Sequence, residues 1–218
     1  MQYEPDLAVI CWDIDTLRTV SKPLKGPLPI EYIKAISDLC DRNHGIYLSG
    51  VQIGDARRFA VPCKISPCDY PSESGSQHYE NGKLIGFPVL YNPEIIDQYD
   101  KIKSEEGCLS FPGINVRGIP RFKYVEFTYR DQNWDEMRVV VSHDNEFLFD
   151  GPLAIAVQHE VDHMNGDLFL DRVDKKQKFK VMAAAHVEFR KLSGKRTMIH
   201  TGPLELEINK WQDSESVI

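Results

Sequence analysis

Residues His159-Glu160-Val161-Asp162-His163 close a stretch, Leu153-Ala154-Ile155-Ala156-Val157, that is apolar almost without a break. No other pattern constrains the fold as strongly, because it asks for a helix that is buried yet polar along one face. Histidines four positions apart stand one above the other on a helix of ~3.6 residues per turn. Their imidazoles can share one metal ion, and the glutamate beside the first is near enough to handle a proton. The apolar approach argues against a solvated helix, and buried ionisable groups need a partner or a metal. Asn165-Gly166 supplies a helix stop, so the pattern predicts a helix over about 152–165.

A catalytic metal site takes three protein ligands and keeps a further position open. Downstream, His200 stands in no useful spacing. His186 falls on the apolar stripe Phe179, Met182, Ala183, Phe189 of a helix expected over 174–192, which reads as a core-edge histidine. Upstream, Cys108 in Glu106-Gly107-Cys108-Leu109-Ser110 is the better candidate. The glycine before it lets the backbone pass close to another group, and the N–H of Leu109 can face the site. A thiolate with two neutral imidazoles leaves a divalent ion with about one positive charge, enough to acidify water, and Glu160 is the candidate base.

With these segments in this order, the chain resembles the peptide deformylases. Their motifs read close to Gly-x-Gly-Leu-Ala-Ala-x-Gln, Glu-Gly-Cys-Leu-Ser and Gln-His-Glu-x-Asp-His. The second stands unaltered at 106–110, and the third as Gln158-His159-Glu160-Val161-Asp162-His163. The first appears as Gly45-Ile46-Tyr47-Leu48-Ser49-Gly50-Val51-Gln52, followed by Ile53-Gly54, and Asn92-Pro93-Glu94-Ile95 precedes the second. The resemblance covers about 8–173, with an insertion at about 63–84.

The resemblance implies a metal-dependent hydrolase that removes the formyl group from formyl-methionyl nascent peptides and releases formate. It implies Cys108, His159 and His163 as ligands and Fe²⁺ as the native metal, although Zn²⁺, Ni²⁺ or Co²⁺ would suit these donors equally. It assigns the Gln52 amide and the Leu109 backbone N–H to the oxyanion and Glu160 to the proton. Gly45, Ile46 and Tyr47 would bind the peptide as an added strand. Glu106, Gly107 and Ile155 complete the candidate substrate-binding set. Glu106 is also read as orienting a ligand with Arg117 paired to it, and Asp162 as holding a histidine or a basic group.

The first motif departs from the family. Tyr47 replaces its second glycine, and Ser49, Gly50 and Val51 stand where Ala-Ala-x is usual. Ser49 and Gly50 keep the segment small enough to pack on the metal helix. The Tyr47 ring is expected to line the cleft and set its width, and a positive φ there would be strained. The alternative readings are a broader metallo-amidase and a catalytically altered relative that binds peptide N-termini.

The expected class is α+β, with antiparallel strands wrapped around a buried central metal-binding helix. A catalytic domain would span 1–194, with 195–218 a C-terminal extension that shows only the alternation Leu204, Leu206, Ile208. Ile30, Ile33, Ile36, Leu39 and Cys40 mark a helix over 29–43. Strands are expected at about 58–61, 86–91, 94–102, 122–130 and 137–142, and a long loop over 63–84.

An odd number of cysteines without framework spacing points to a reducing compartment, with Cys63 and Cys68 as free thiols in the loop. No targeting segment is read at the N-terminus and no membrane-length apolar run occurs, so a bacterial or host cytosolic location is expected, without a membrane partner. A net charge of −7 argues against DNA binding. Lys175, Lys176, Lys178, Lys180, Arg190, Lys191, Lys195 and Arg196 nevertheless make 174–196 strongly basic, which suggests a weak ribosome contact through outward Lys175, Lys176, Lys178 and Arg190.

Overall fold

A computed structural model describes residues 14–63, 79–80, 83–84, 87–111, 113–144 and 150–182. Helices α1 (Ile14–Leu17), α2 (Ile30–Arg42) and α3 (Asp150–Met164) accompany strands β1 (Tyr47–Ser49), β2 (Phe59–Pro62), β3 (Tyr79–Glu80), β4 (Lys83–Leu84), β5 (Leu90–Gly107), β6 (Asn115–Arg130) and β7 (Glu136–Ser142). A five-stranded sheet runs in the order β1-β2-β5-β6-β7, every pairing antiparallel, and β3 pairs with β4 as a small separate ribbon. This is the expected α+β class.

Alternation along the short strands explains where the helices sit. Tyr47, Ala60 and Leu90 point into a core shared with Leu153, Ala154, Val157 and Val161 of α3. Their neighbours Leu48, Phe59, Val61 and Tyr91 point the other way, against Ile33, Ile36 and Cys40 of α2. β1 and β2 are therefore sandwiched between helices, and every residue of both is buried, as strands covered on both faces should be.

α3 is almost entirely buried beyond its first turn. Gly166, with φ of +79°, reverses the chain, and the N–H groups of Gly166 and Asp167 close back on the carbonyls of His163 and Asp162. Gln158 fastens α3 to the sheet: its amide accepts from the N–H of Phe122 and donates to the carbonyls of Phe122 and Ala154.

Two expected strands, 86–91 and 94–102, are one strand. β5 passes through Pro93 by a register shift between Tyr91 and Glu94, with Asn92 at φ +48°. β6 likewise begins at Asn115 rather than 122, so β5 and β6 form one long hairpin with Cys108 at its tip.

Residues 175–182 are helical, but Phe179 is 76% exposed, contrary to the expected stripe. Gln177 and Lys178 hold the body, through the Arg117 carbonyl and Asp171, while Val181 and Met182 pack beside Phe111 and Phe169. Position 179 lies off that face. His186, Arg190, Cys68, most of 63–84 and the whole of 195–218 lie outside the described residues. Among the described residues no helix is long and apolar enough to cross a membrane.

Candidate metal centre

His159 and His163 emerge from α3 one turn apart, with ring centroids 4.9 Å apart. Cys108 follows the last residue of β5, where the Phe111 N–H donates to its carbonyl and turns the chain. The turn brings Cys108 Sγ to 3.3 Å from His163 Nε2. The three candidate ligand atoms lie within 4.8 Å of one another, and all three residues are buried or nearly so.

The donor set fits a divalent cation on three counts. Thiolate and imidazole are transition-metal ligands. Burial, reinforced by His159 and Arg121, holds His163 well below the usual imidazole range, so it is neutral as a ligand must be. Burial opposes charge on His159 too, yet Cys108 and Glu106 outweigh it and raise its pKa. The negative groups that would hold a proton there would equally hold a cation.

Glu106 orients the first imidazole: His159 Nδ1 lies 2.9 Å from Glu106 Oε2, which leaves Nε2 for a ligand role. Burial would raise the Glu106 carboxyl, but Arg121 and His159 overcome it and hold it well below the carboxylate range. Arg121 is fully buried and bidentate, with Nε and Nη2 each donating to Glu106 at 2.7 Å, while Nη1 donates to Asp162 at 2.6 Å. Asp162 also accepts from Arg172 Nε at 2.6 Å. It holds two arginines rather than a histidine.

The expected Arg117 partner is corrected by this network. Arg117 sits opposite Glu105, donates to it at 2.9 Å and is 85% exposed. Glu106 is the next residue along β5 and so points to the other face, where Arg121 waits. Parity with the buried Ile119, Val125 and Phe127 marks Arg121 as inward but would mark Arg117 likewise. It is the register shift at Gly118, with φ of +81°, that turns Arg117 outward.

Glu160 lies between the ligands, 4% exposed, and burial pushes its carboxyl up to about 7 against the opposing pull of His159, Ser49 and Arg121. Among the described residues, Glu160 Oε2 and His163 Nδ1 are buried side-chain atoms with no hydrogen-bond partner. Gln52 is buried in the turn Gly50–Ile53, with Nε2 3.5 Å from Cys108 Sγ and 3.4 Å from Ser110 Oγ. Gly45 is needed for close approach, since a Cβ there would meet Leu109 Cδ1 at 2.5 Å and Cys40 Sγ at 2.9 Å.

These groups open on one cleft of ≈ 1040 Å³, whose walls include Gly45, Ile46, Tyr47, Gln52, Glu106, Gly107, Cys108, Leu109, Ile155, His159 and Glu160. The Ile46 carbonyl accepts from Cys63 N–H, facing β2. Antiparallel alternation then turns the Tyr47 N–H and C=O away from β2, toward the open side. The Tyr47 ring does not set the cleft width as expected. It is 4% exposed, its hydroxyl donates to the Pro88 carbonyl at 2.7 Å, and it meets Phe87 edge-on at 5.7 Å. Nor is its φ positive.

Residues 7–179 match the family model described as polypeptide deformylase. Over 138 residues the chain is 34% identical to a peptide deformylase of Wolinella succinogenes, covering 62% of this chain and 69% of that protein. Over 178 residues it is 31% identical to one from Helicobacter acinonychis, covering 79% of this chain and 90% of that protein. Its fold is similar to the crystal structure of peptide deformylase from Ehrlichia chaffeensis, with a TM-score of 0.66 and 25% identity over 84% of this chain and 96% of that one.

Proposed function

The chain belongs to the polypeptide deformylase family, and we propose that Glu160, Gln52 and the Leu109 amide do its chemistry around a metal held by Cys108, His159 and His163. The family's members are metal-dependent hydrolases that remove the formyl group from nascent peptides, and this chain is an enzyme of that kind. The observation that carries the residue assignment is convergence: a Cys/His/His donor set, a buried carboxyl and a side-chain amide donor share one cleft.

When bound, the ion supplies positive charge that acidifies water and polarises the formyl carbonyl. Fe²⁺ is the proposed native metal, with Zn²⁺, Ni²⁺ or Co²⁺ as substitutes the same donors accept. Glu160 takes the proton from the attacking water and passes it to the departing amine. Gln52 Nε2 and the Leu109 N–H donate to the oxyanion that forms on the formyl oxygen. The formyl-methionyl peptide lies along Gly45, Ile46 and Tyr47 as an added strand, held by Tyr47 main-chain groups, in the cleft that Glu106, Gly107 and Ile155 also line.

Metal-loaded protein should release formate from formyl-Met-Ala-Ser and leave acetyl-Met-Ala-Ser intact. Equal turnover of both peptides would mark a broader amidase, and turnover of neither would leave a peptide-binding relative. Replacing Cys108, His159 or His163 by Ala should strip the metal on gel filtration, because a three-ligand site has none to spare. Full metal content in any of the three would remove that residue from the ligand set.

This reading puts the protein in the cytosol, where formyl-methionyl chains emerge, and among the described residues Cys40 and Cys108 form no disulfide, as a reducing compartment requires. Weak ribosome contact would run through exposed Lys175, Lys176 and Lys180, since Lys178 is engaged with Asp171. Such contact should decline steeply with salt. The check is co-sedimentation with ribosomes at low and moderate salt, against a variant with Lys175, Lys176 and Lys180 changed to Glu. Equal sedimentation would reduce the segment to a solvated face.

A further inference from the structure

The geometry points to Ser49 as a positioning residue for deformylation, one that holds the Gln52 amide with its N–H end toward the cleft. The inference rests on the role of Gln52 proposed above. Ser49 is fully buried at the end of β1 and immediately precedes the turn that carries Gln52. Two of its groups meet one atom: the backbone N–H lies 2.9 Å and the hydroxyl 3.0 Å from Gln52 Oε1.

A backbone N–H can only donate, so the atom it meets has to be the amide oxygen. That settles the amide's orientation by chemistry, where the two ends look alike. Nε2 is thereby directed to Cys108 Sγ and Ser110 Oγ, at the cleft. A reversed amide would set a lone pair against a developing oxyanion and an N–H against the Ser49 N–H. Any residue but proline at 49 supplies the backbone donor. The hydroxyl is what this chain adds, at a place where the family motif usually has alanine.

The hydroxyl has one proton and a second acceptor within reach, Glu160. The test therefore has to separate an effect through Gln52 from one through Glu160. Formate release from formyl-Met-Ala-Ser is measured with the metal-loaded full chain as wild type, Ser49→Ala, Gln52→Ala and the double variant. Ser49→Ala should lower kcat about three- to tenfold, one neutral hydrogen bond expressed as a rate, with KM and metal content unchanged. Ser49→Cys, similar in size with a weaker donor, should fall between it and wild type. In the Gln52→Ala background, adding Ser49→Ala should change kcat by less than about twofold, since the positioned group is gone.

A second readout does not depend on turnover. The Gln52 side-chain amide protons of the zinc-loaded protein, identified by their loss in Gln52→Ala, should exchange with solvent several-fold faster in Ser49→Ala. An equal Ser49→Ala loss in both backgrounds, or unchanged exchange, overturns the positioning role. In that case Gln52 keeps its own role so long as Gln52→Ala loses about 100-fold. A Gln52→Ala enzyme as fast as wild type removes the Gln52 reading and this inference with it.

Discussion

Glu160→Gln should bind metal as the wild type does and turn over about a hundred to ten thousand times more slowly. Glutamine has the shape of glutamate but cannot carry the proton from water to amine. Metal should stay because, among the described residues, the clustered ligand atoms come from Cys108, His159 and His163. The environment explains why a carboxyl suits the task. Burial lifts it to about 7, where giving and taking a proton near neutral pH are both easy, and a bound cation would pull in the opposite direction. Metal analysis with single-turnover formate release decides the matter. A fully metallated variant with near wild-type kcat would remove Glu160 from the proton's path.

Arg121→Met should be the most damaging change away from the ligands. It leaves Glu106 and Asp162 buried without the cation they share. Losing one member of such a network costs about 3–5 kcal/mol. For a chain of this size that is a fall of roughly 10 °C in Tm. His159 would also lose its oriented partner, so metal affinity should drop about 10- to 100-fold. Arg117→Met, on the outward face, should change neither. Thermal unfolding and competition with a chelator measure both effects, and a Tm within a degree or two of wild type would show that Arg121 is dispensable.

The two variants also mark the boundary of what the chain discloses before it is folded. His159, Glu160 and His163 were legible because their spacing is local and matches a helical turn, and α3 spans Asp150–Met164 where 152–165 was expected. Cys108 was legible from its local setting only as a candidate, which the family resemblance strengthened, because only the β5–β6 hairpin brings it to the helix. Arg121 was missed although its parity with Ile119 and Val125 marks it as inward. Choosing between it and Arg117 takes the register, which sets Arg117 opposite Glu105. Tyr47 misled for a similar reason. Tyr47 and Ser49 share one side of β1, the side facing α3, so the ring follows Ser49 into the interior. The break expected at Pro93 failed because the register shift at Asn92 lets the strand continue.

β1 ends the sheet, and a sheet edge ordinarily invites pairing with a second copy of the same chain, the first step toward aggregation. Here the strand is only three residues long, the turn carrying Gln52 ends it on one side, and Gly45 and the end of α2 lie just beyond the other. Such an edge is too short to template a fibril, yet it matches the few residues of the extended peptide proposed to pair with it. Keeping the edge brief limits self-pairing while leaving the outward Tyr47 main-chain groups for the substrate strand proposed above.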